Sequence, residues 1–392
     1  MSGGKKRGKI GRRLPGMILS AASLAVLVYI AITLISGREL GTAWLKGLFR
    51  PKAPVARAYE PEFDVGGSRV FADLGGYIAA AGTFGTQVLG ADGDEAYRET
   101  YRMASPAISP GEGYAIAFDI GGNSVRVLGK TRMAASIESP GAVISASVNR
   151  NGWFCVCSQD AGAYASIVTA YDNKGREVYK VSLARGYATA AALTRDNKRM
   201  AVLVLADEGS RITLYDLASD APAGEYDAPG TLILGIARLD SGDTLAITQE
   251  SLLIVDGGGQ GKGLYSYLGR RLRGYALHGN RVALYLLDYG VGYSGSIVML
   301  TMDGEILGER ATDREIISMS CGDGFLAVLK NDGATIYDDV LEIIPLSEDE
   351  LARASEAAAS GASRAYALEG SAVLVAGDNT AMIIAFERNA GQ

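Results

Sequence analysis

Three arginines and two tyrosines give this chain its best opportunity for recognition chemistry. Gly269-Arg270-Arg271-Leu272-Arg273 sets three guanidiniums within four residues. Asp288-Tyr289-Gly290-Val291-Gly292-Tyr293-Ser294 places two phenols on a glycine-loosened loop. Guanidiniums fork onto carboxylates and phosphates; phenol rings cover sugar or apolar surface and keep a hydroxyl for hydrogen bonding. Arg270, Arg271, Arg273, Tyr289 and Tyr293 are therefore the candidate ligand-binding residues, for an acidic or sugar-like ligand. Tyr164, in the 160–165 stretch, sits on an equivalent loop.

Other reactive side chains are sparse. The single histidine, His278, lies beside Gly279 and reads as a polar turn residue. Cys155 and Cys157 are two apart on an apolar run, so both point to one face of a strand. With Cys321 they form neither a C-x-x-C motif nor a tetrahedral zinc set, and they read as small buried hydrophobes. Stretches such as Asp172-Asn173-Lys174-Gly175 and Ala91-Asp92-Gly93-Asp94-Glu95 lack the full EF-hand spacing and read as turns. No nucleophile elbow with triad partners, Walker loop or dinucleotide fingerprint is present. No catalytic residue, metal ligand or cofactor is assigned, and the balance is against an enzyme.

The elements that position these residues repeat. A polar Gly/Asn turn followed by a short apolar strand occurs eight times, the strand starting at Tyr77, Tyr114, Trp153, Met200, Leu245, Val282, Phe325 and Ala372. A second recurring strand ends in Asp or Gly, as in RITLYDL at 211–217 and SIVMLTMDG at 296–304. A period near ~40–45 residues with four strands per unit is the pattern of propeller blades. The expectation is an all-β, eight-bladed β-propeller over 60–392, with seven blades as the alternative count. The eighth unit stops one strand short, and Glu60–Val65 is expected to supply that outer strand and close the ring. An alanine-rich insert at 347–360, with Ser347 and Glu350 spaced as a capping box, is expected to be a surface helix between blades seven and eight.

Charge is segregated. Residues 1–57 carry eleven Lys and Arg against Glu39 alone; the remainder carries 27 basic and 43 acidic residues. An acidic globular part argues against nucleic-acid binding. After a basic tail (1–13), Leu14–Ile35 runs 22 residues without a charge. As a helix it is long enough to cross a ~30 Å hydrocarbon layer, and no small-residue cleavage site follows. A single transmembrane helix over 14–36 is expected to act as an uncleaved signal-anchor. The positive-inside rule leaves the tail cytoplasmic and the propeller outside. Residues 37–59 form a juxtamembrane linker in which Trp44 and its apolar neighbours suit the headgroup level.

Taken together, the basic tail, Leu14–Ile35 and blade strands such as YAIAFDIGGNSVRVLGK and ITLYDL resemble the domain-of-unknown-function 5711 family, membrane-anchored propeller proteins of Gram-positive bacteria. The blades are also similar to WD40-like and quinoprotein-like repeats. Trp44 and Trp153 are the only tryptophans, so the Trp-rich docking motifs of quinoproteins are absent. The resemblance implies no catalytic residue and no cofactor. The expected function is a non-catalytic protein- or glycan-binding or scaffold module at the cell envelope, with the bilayer as one partner. The alternative is an envelope polysaccharide lyase or hydrolase on the same scaffold.

Overall fold

The computed structural model describes residues 59–387, apart from residues 161, 291 and 379. Its strands form eight antiparallel sheets, taken in chain order as blades one to eight: 70–100, 106–138, 143–183, 187–229, 233–266, 271–312, 316–337 and 364–385. Blades one to six have four strands each, and blades seven and eight have three. The eight strands anticipated at Tyr77 through Ala372 begin within one residue of the expected positions and are the second strand of each blade.

Alternation along each strand builds the core. In blade three, Phe154 and Val156 face blade two while Cys155 and Cys157 face blade four. Both faces of the second and third strands are buried, so these read as continuous apolar runs such as Arg281–Leu287 and Gly295–Thr301. Eight separate apolar clusters result, each shared by two neighbouring blades, and the last joins blade eight to blade one. The innermost strands converge around a central channel and are rich in small residues, as in Val143–Val148 and Tyr187–Leu193. Serines of one blade satisfy backbone groups of the next. Ser318 Oγ accepts from the amide of Ala365 at 3.2 Å, Ser320 Oγ from that of Ala367 at 2.9 Å, and Ser147 Oγ donates to the carbonyl of Ala191 at 2.5 Å. Edges of this kind otherwise carry unpaired polar groups.

Ring closure differs from the expectation. Glu60–Val65 forms no strand. The carbonyl of Tyr59 accepts from Ile383 on the outer edge of blade eight at 3.0 Å. The carbonyl of Val65 then accepts from Phe84 in blade one at 2.8 Å. Pro61 has no amide to give a ladder, so the segment crosses between blades and closes the ring through Phe63 and Val65. Blade seven also lacks a fourth strand; Tyr337 and Ile343 form an isolated bridge there, and the amide of Ile344 donates to the carbonyl of Ile336 at 2.9 Å. Helix α1 (Glu348–Ala359) covers both short blades. Its capping box on Ser347 and Glu350 is formed, and Ala354 and Ala357 are buried against Ala334, Ile336, Met382 and Ile384. The insert is thus a lid over two open sheet edges. Among the described residues no helix is long and apolar enough to cross a membrane; Leu14–Ile35 lies outside them.

Candidate binding face

In a four-stranded meander, the loops between second and third strands emerge on the same face as the junctions between blades. The hairpins joining first to second and third to fourth strands emerge on the opposite face. Arg271 pairs with Leu287, so the arginine cluster and the Asp288–Ser294 loop do open at one end of blade six.

Arg270 departs from the candidate set. Its guanidinium donates to Ser296 Oγ at 2.8 Å, Glu309 Oε1 at 2.5 Å and Tyr265 Oη at 2.7 Å, and its Nε to the carbonyl of Tyr267 at 3.2 Å. Burial pulls its pKa down, but Glu309 and Tyr265 together more than offset that, and the net shift is upward. Ser296 and Arg270 in turn hold the Glu309 carboxyl below the usual range. Arg270 is a staple between blade five and the outer strands of blade six, with its donors already engaged.

Arg271 and Arg273 are exposed, as are Tyr289 (71 %) and Tyr293 (45 %). Tyr285, which sequence reasoning passed over, connects them. Its hydroxyl donates to the carbonyl of Tyr293 at 3.4 Å and feels the charges of Arg273 and Glu315. Burial raises its pKa, which keeps the phenol neutral and a hydrogen-bond donor. Asp288 is closed into its own loop: its amide donates to the carbonyl of Ser294 at 3.0 Å and its carboxylate accepts from Ser294 Oγ at 3.2 Å. On the equivalent loop of blade three, Asp160 accepts from the amide of Tyr164 at 3.0 Å and presents that ring outward.

A second feature of this face comes from register. In blades three to seven the first strand is bulged near its beginning, and the residue left without a partner is Ile144, Thr189, Leu234, Arg273 and Ile317 in turn. A bulge adds one residue and re-aims its side chain. Leu234 and Ile317 are consequently exposed although they lie on innermost strands. Tyr275 reaches across to blade five, with its Oη 3.5 Å from the carbonyl of Leu234. Glycine at 235 makes room for it, since a Cβ there would lie 2.3 Å from Tyr275 Oη and push the ring aside. The sequence does carry a signal for the bulges. Ile233-Leu234 and Ile316-Ile317 put two apolar residues side by side on innermost strands, where period two wants one in and one out.

Leu268, at the junction of blades five and six, is the most exposed large hydrophobic among the described residues (83 %), and its φ is 56°. A branched side chain in the left-handed region costs ~1–2 kcal/mol. Phe84, Ile120, Tyr187 and Leu232 are further exposed apolar side chains on the same face.

Eight radially arranged sheets closed around a channel define a β-propeller. The C-terminal WD40 domain of Sif2 is similar at TM-score 0.60 and 12 % identity, covering 86 % of this chain and 100 % of that one. Sqt1 of Saccharomyces cerevisiae is similar at TM-score 0.53 and 12 % identity, covering 84 % and 98 %. At such identities the likeness concerns the fold alone. No curated protein matches the chain. The family model for DUF5711, a family of unknown function, matches residues 56–340, and the chain belongs to that family.

Proposed function

We propose that this protein is a non-catalytic docking ring, held by the Leu14–Ile35 anchor on the outer side of the plasma membrane, that binds an extended segment of an envelope protein across the loop face of blades three to seven. The observation that carries the reading is the repeated bulge. Five consecutive blades bulge at the same end of the channel, and the extra residue is held out to solvent in three of them, as Leu234, Arg273 and Ile317. Exposed apolar surface on one face of a soluble domain marks an interaction site. A strained leucine held out to solvent beside it fits a knob that a partner receives. Arg271 and Arg273 favour a segment that carries carboxylates between its apolar anchors. Tyr289 and Tyr293 extend the same surface toward the rim.

The test uses the full chain, tagged at its C-terminus, in the cells that make it. A photo-crosslinking amino acid replaces Leu268 in one strain and Leu351, exposed on helix α1, in another. Protease added to intact cells is expected to remove the tag, and crosslinks to one protein are expected from position 268 and not from 351. Leu234→Asp should abolish them. A protected tag would overturn the topology, and equal crosslinking from both positions would overturn the docking face.

A further inference from the structure

The opposite mouth of the channel holds a second site. Innermost strands and hairpins of blades two, three, four and five converge there on a cavity of about 280 Å³. Its polar wall is Glu112, Arg150, Arg195, Arg238 and Asp240, and Trp153 stands among apolar neighbours such as Val148 and Leu239. Two of the three arginines are matched. Arg150 lies 3.6 Å from Glu112, and Arg195 donates to both oxygens of Asp240 at 3.0 Å.

Arg238 is not matched. Among the described residues no carboxylate comes within ion-pair distance of it. Its terminal nitrogens donate to Thr244 Oγ1 and to the carbonyl of Gly242, both neutral acceptors, and its Nε is buried without a partner. Burial lowers its pKa to about 10, against the attraction of Asp243; Arg199 lowers it further and Asp196 opposes. The guanidinium stays charged at neutral pH. The charged side chains that line the cavity sum to one net positive charge, in a ring whose own residues are strongly acidic.

The walls are fixed before any ligand arrives. Asn149 donates across the blade boundary to Asn197 Oδ1 at 2.6 Å and to the carbonyl of Thr194 at 3.2 Å, and its own Oδ1 accepts from the amides of Asn151 and Trp153. Asn151 donates to the carbonyl of Arg195 at 2.6 Å, tying the hairpins that carry two of the arginines. Preorganisation of this kind lowers the ordering cost of binding.

We propose that this mouth, built by Arg150, Trp153, Arg195 and Arg238, is a binding site for a small anion: a carboxylate or phosphate group carried on a compact uncharged body. The anion supplies the charge that Arg238 lacks, and the indole and aliphatic wall cover the body, for which the cavity has room for about one sugar ring. The site is distinct from the loop face, and its occupancy is independent of what docks there.

Trp153 is the reporter. With Trp44→Phe in the detergent-purified full chain, it is the sole tryptophan. Its fluorescence is followed during titration with inorganic phosphate, D-glucuronate and, as the neutral counterpart, glucose. A saturable change is expected with an anion and not with glucose. Saturation by phosphate alone would assign a phosphoester, and saturation by glucuronate a sugar acid. Arg238→Gln should weaken binding about ten- to hundredfold, the worth of a charge-assisted contact, with Arg238→Lys recovering part of it. Arg195→Gln, at the exposed rim, is the companion variant should Arg238→Gln fail to fold, and it should also weaken binding. No saturable change with either anion, an equal response to glucose, or unaltered affinity in the folded variants would overturn the site.

Discussion

At the scale of single residues, the side chains that look most reactive are the ones most thoroughly occupied. Cys155 and Cys157 lie fully inside the cluster between blades three and four, with Cys155 Sγ 3.5 Å from Met200 Sδ; Cys321 is buried between blades six and seven. Burial pushes Cys155 well up and Cys157 to about 12, Cys155 further because Cys157 is beside it. Burial also takes Cys321 to about 12, against a hydrogen bond from the Ala283 backbone. A thiol whose folded pKa exceeds its unfolded value of ~8.5 contributes its full stability below that pH. Above it only the unfolded chain ionises, and stability falls by about 1.4 kcal/mol per pH unit for each thiol. We expect a thiol reagent at pH 8 to find no cysteine in the native ring and all three after denaturation. Equilibrium unfolding should show stability declining from about pH 9. Rapid native labelling of any one thiol would contradict this packing. Asp172 shows the same occupation on the polar side. Its Oδ1 accepts from the amides of Lys174 and Arg176 at 2.9 and 3.0 Å, and Asp256 and Asp338 repeat the pattern in their own hairpins. The Asp/Asn/Gly stretches that tempt a calcium reading are hairpin turns capped by their own carboxylates.

At the scale of elements, strand placement was written plainly in the sequence and edge management was not. Second and third strands announce themselves because both their faces are buried and their ends need glycine or aspartate. The missing fourth strand of blade seven and the true position of Glu60–Val65 depend on which backbone groups find partners, which composition does not encode; the bulges left only the paired apolar residues Ile233-Leu234 and Ile316-Ile317 as a trace. Arg270 shows the same limit at the candidate site. Its type invited a ligand, but its partner Glu309 lies 39 residues away and only the fold brings them together. The small-anion cavity was equally illegible, since four hairpins roughly one blade apart in sequence each contribute a piece of it. Helix α1 gives the sharpest consequence at this scale. It buries only Ala354 and Ala357, yet it covers the third strands of blades seven and eight, whose outer edges are otherwise paired, among the described residues, only around Ile336 with Ile344 and at Ile383 with Tyr59. Ser347→Ala removes the reciprocal cap and should cost ~1 kcal/mol. Ala357→Asp, which puts an unpaired charge against Met382 and Ile384, should undock the helix and make the protein aggregate by sheet-edge pairing. Chemical denaturation reads the first, and light scattering of the folded variant reads the second. A monomeric, fully stable Ala357→Asp protein would mean that the edges do not need the lid.

At the scale of the whole molecule, the described residues close the ring mainly by packing. Among them each sheet keeps to its own segment of chain, and the one backbone bond from the amino-terminal segment to blade eight is that of Tyr59 with Ile383. The seam between blades one and eight rests on Phe71, whose ring lies 4.9 Å from Phe63 and 5.5 Å from Tyr366, together with Val65, Leu374 and Ile383. Backbone groups support the seam at Tyr59–Ile383 and through the bonds of Val65 and Gly67 to the blade-one hairpin, and the Glu369 backbone hydrogen-bonds to Asp73 across it. A repeat array holds together by neighbour interfaces, and its weakest interface is where it opens first. Phe71→Ala should therefore cost about 3–5 kcal/mol and act locally. Peptide-resolved hydrogen exchange is the measurement. Blades one and eight should lose protection while blades three to five, bounded by intact clusters on both sides, keep theirs. A uniform loss around all eight blades would show instead that the ring opens as a single cooperative unit. In that case the loop face and the anion site on the opposite mouth would share one stability and could not be perturbed separately. Local opening would leave both working, because neither the bulged strands of blades three to seven nor the cavity of blades two to five includes the seam.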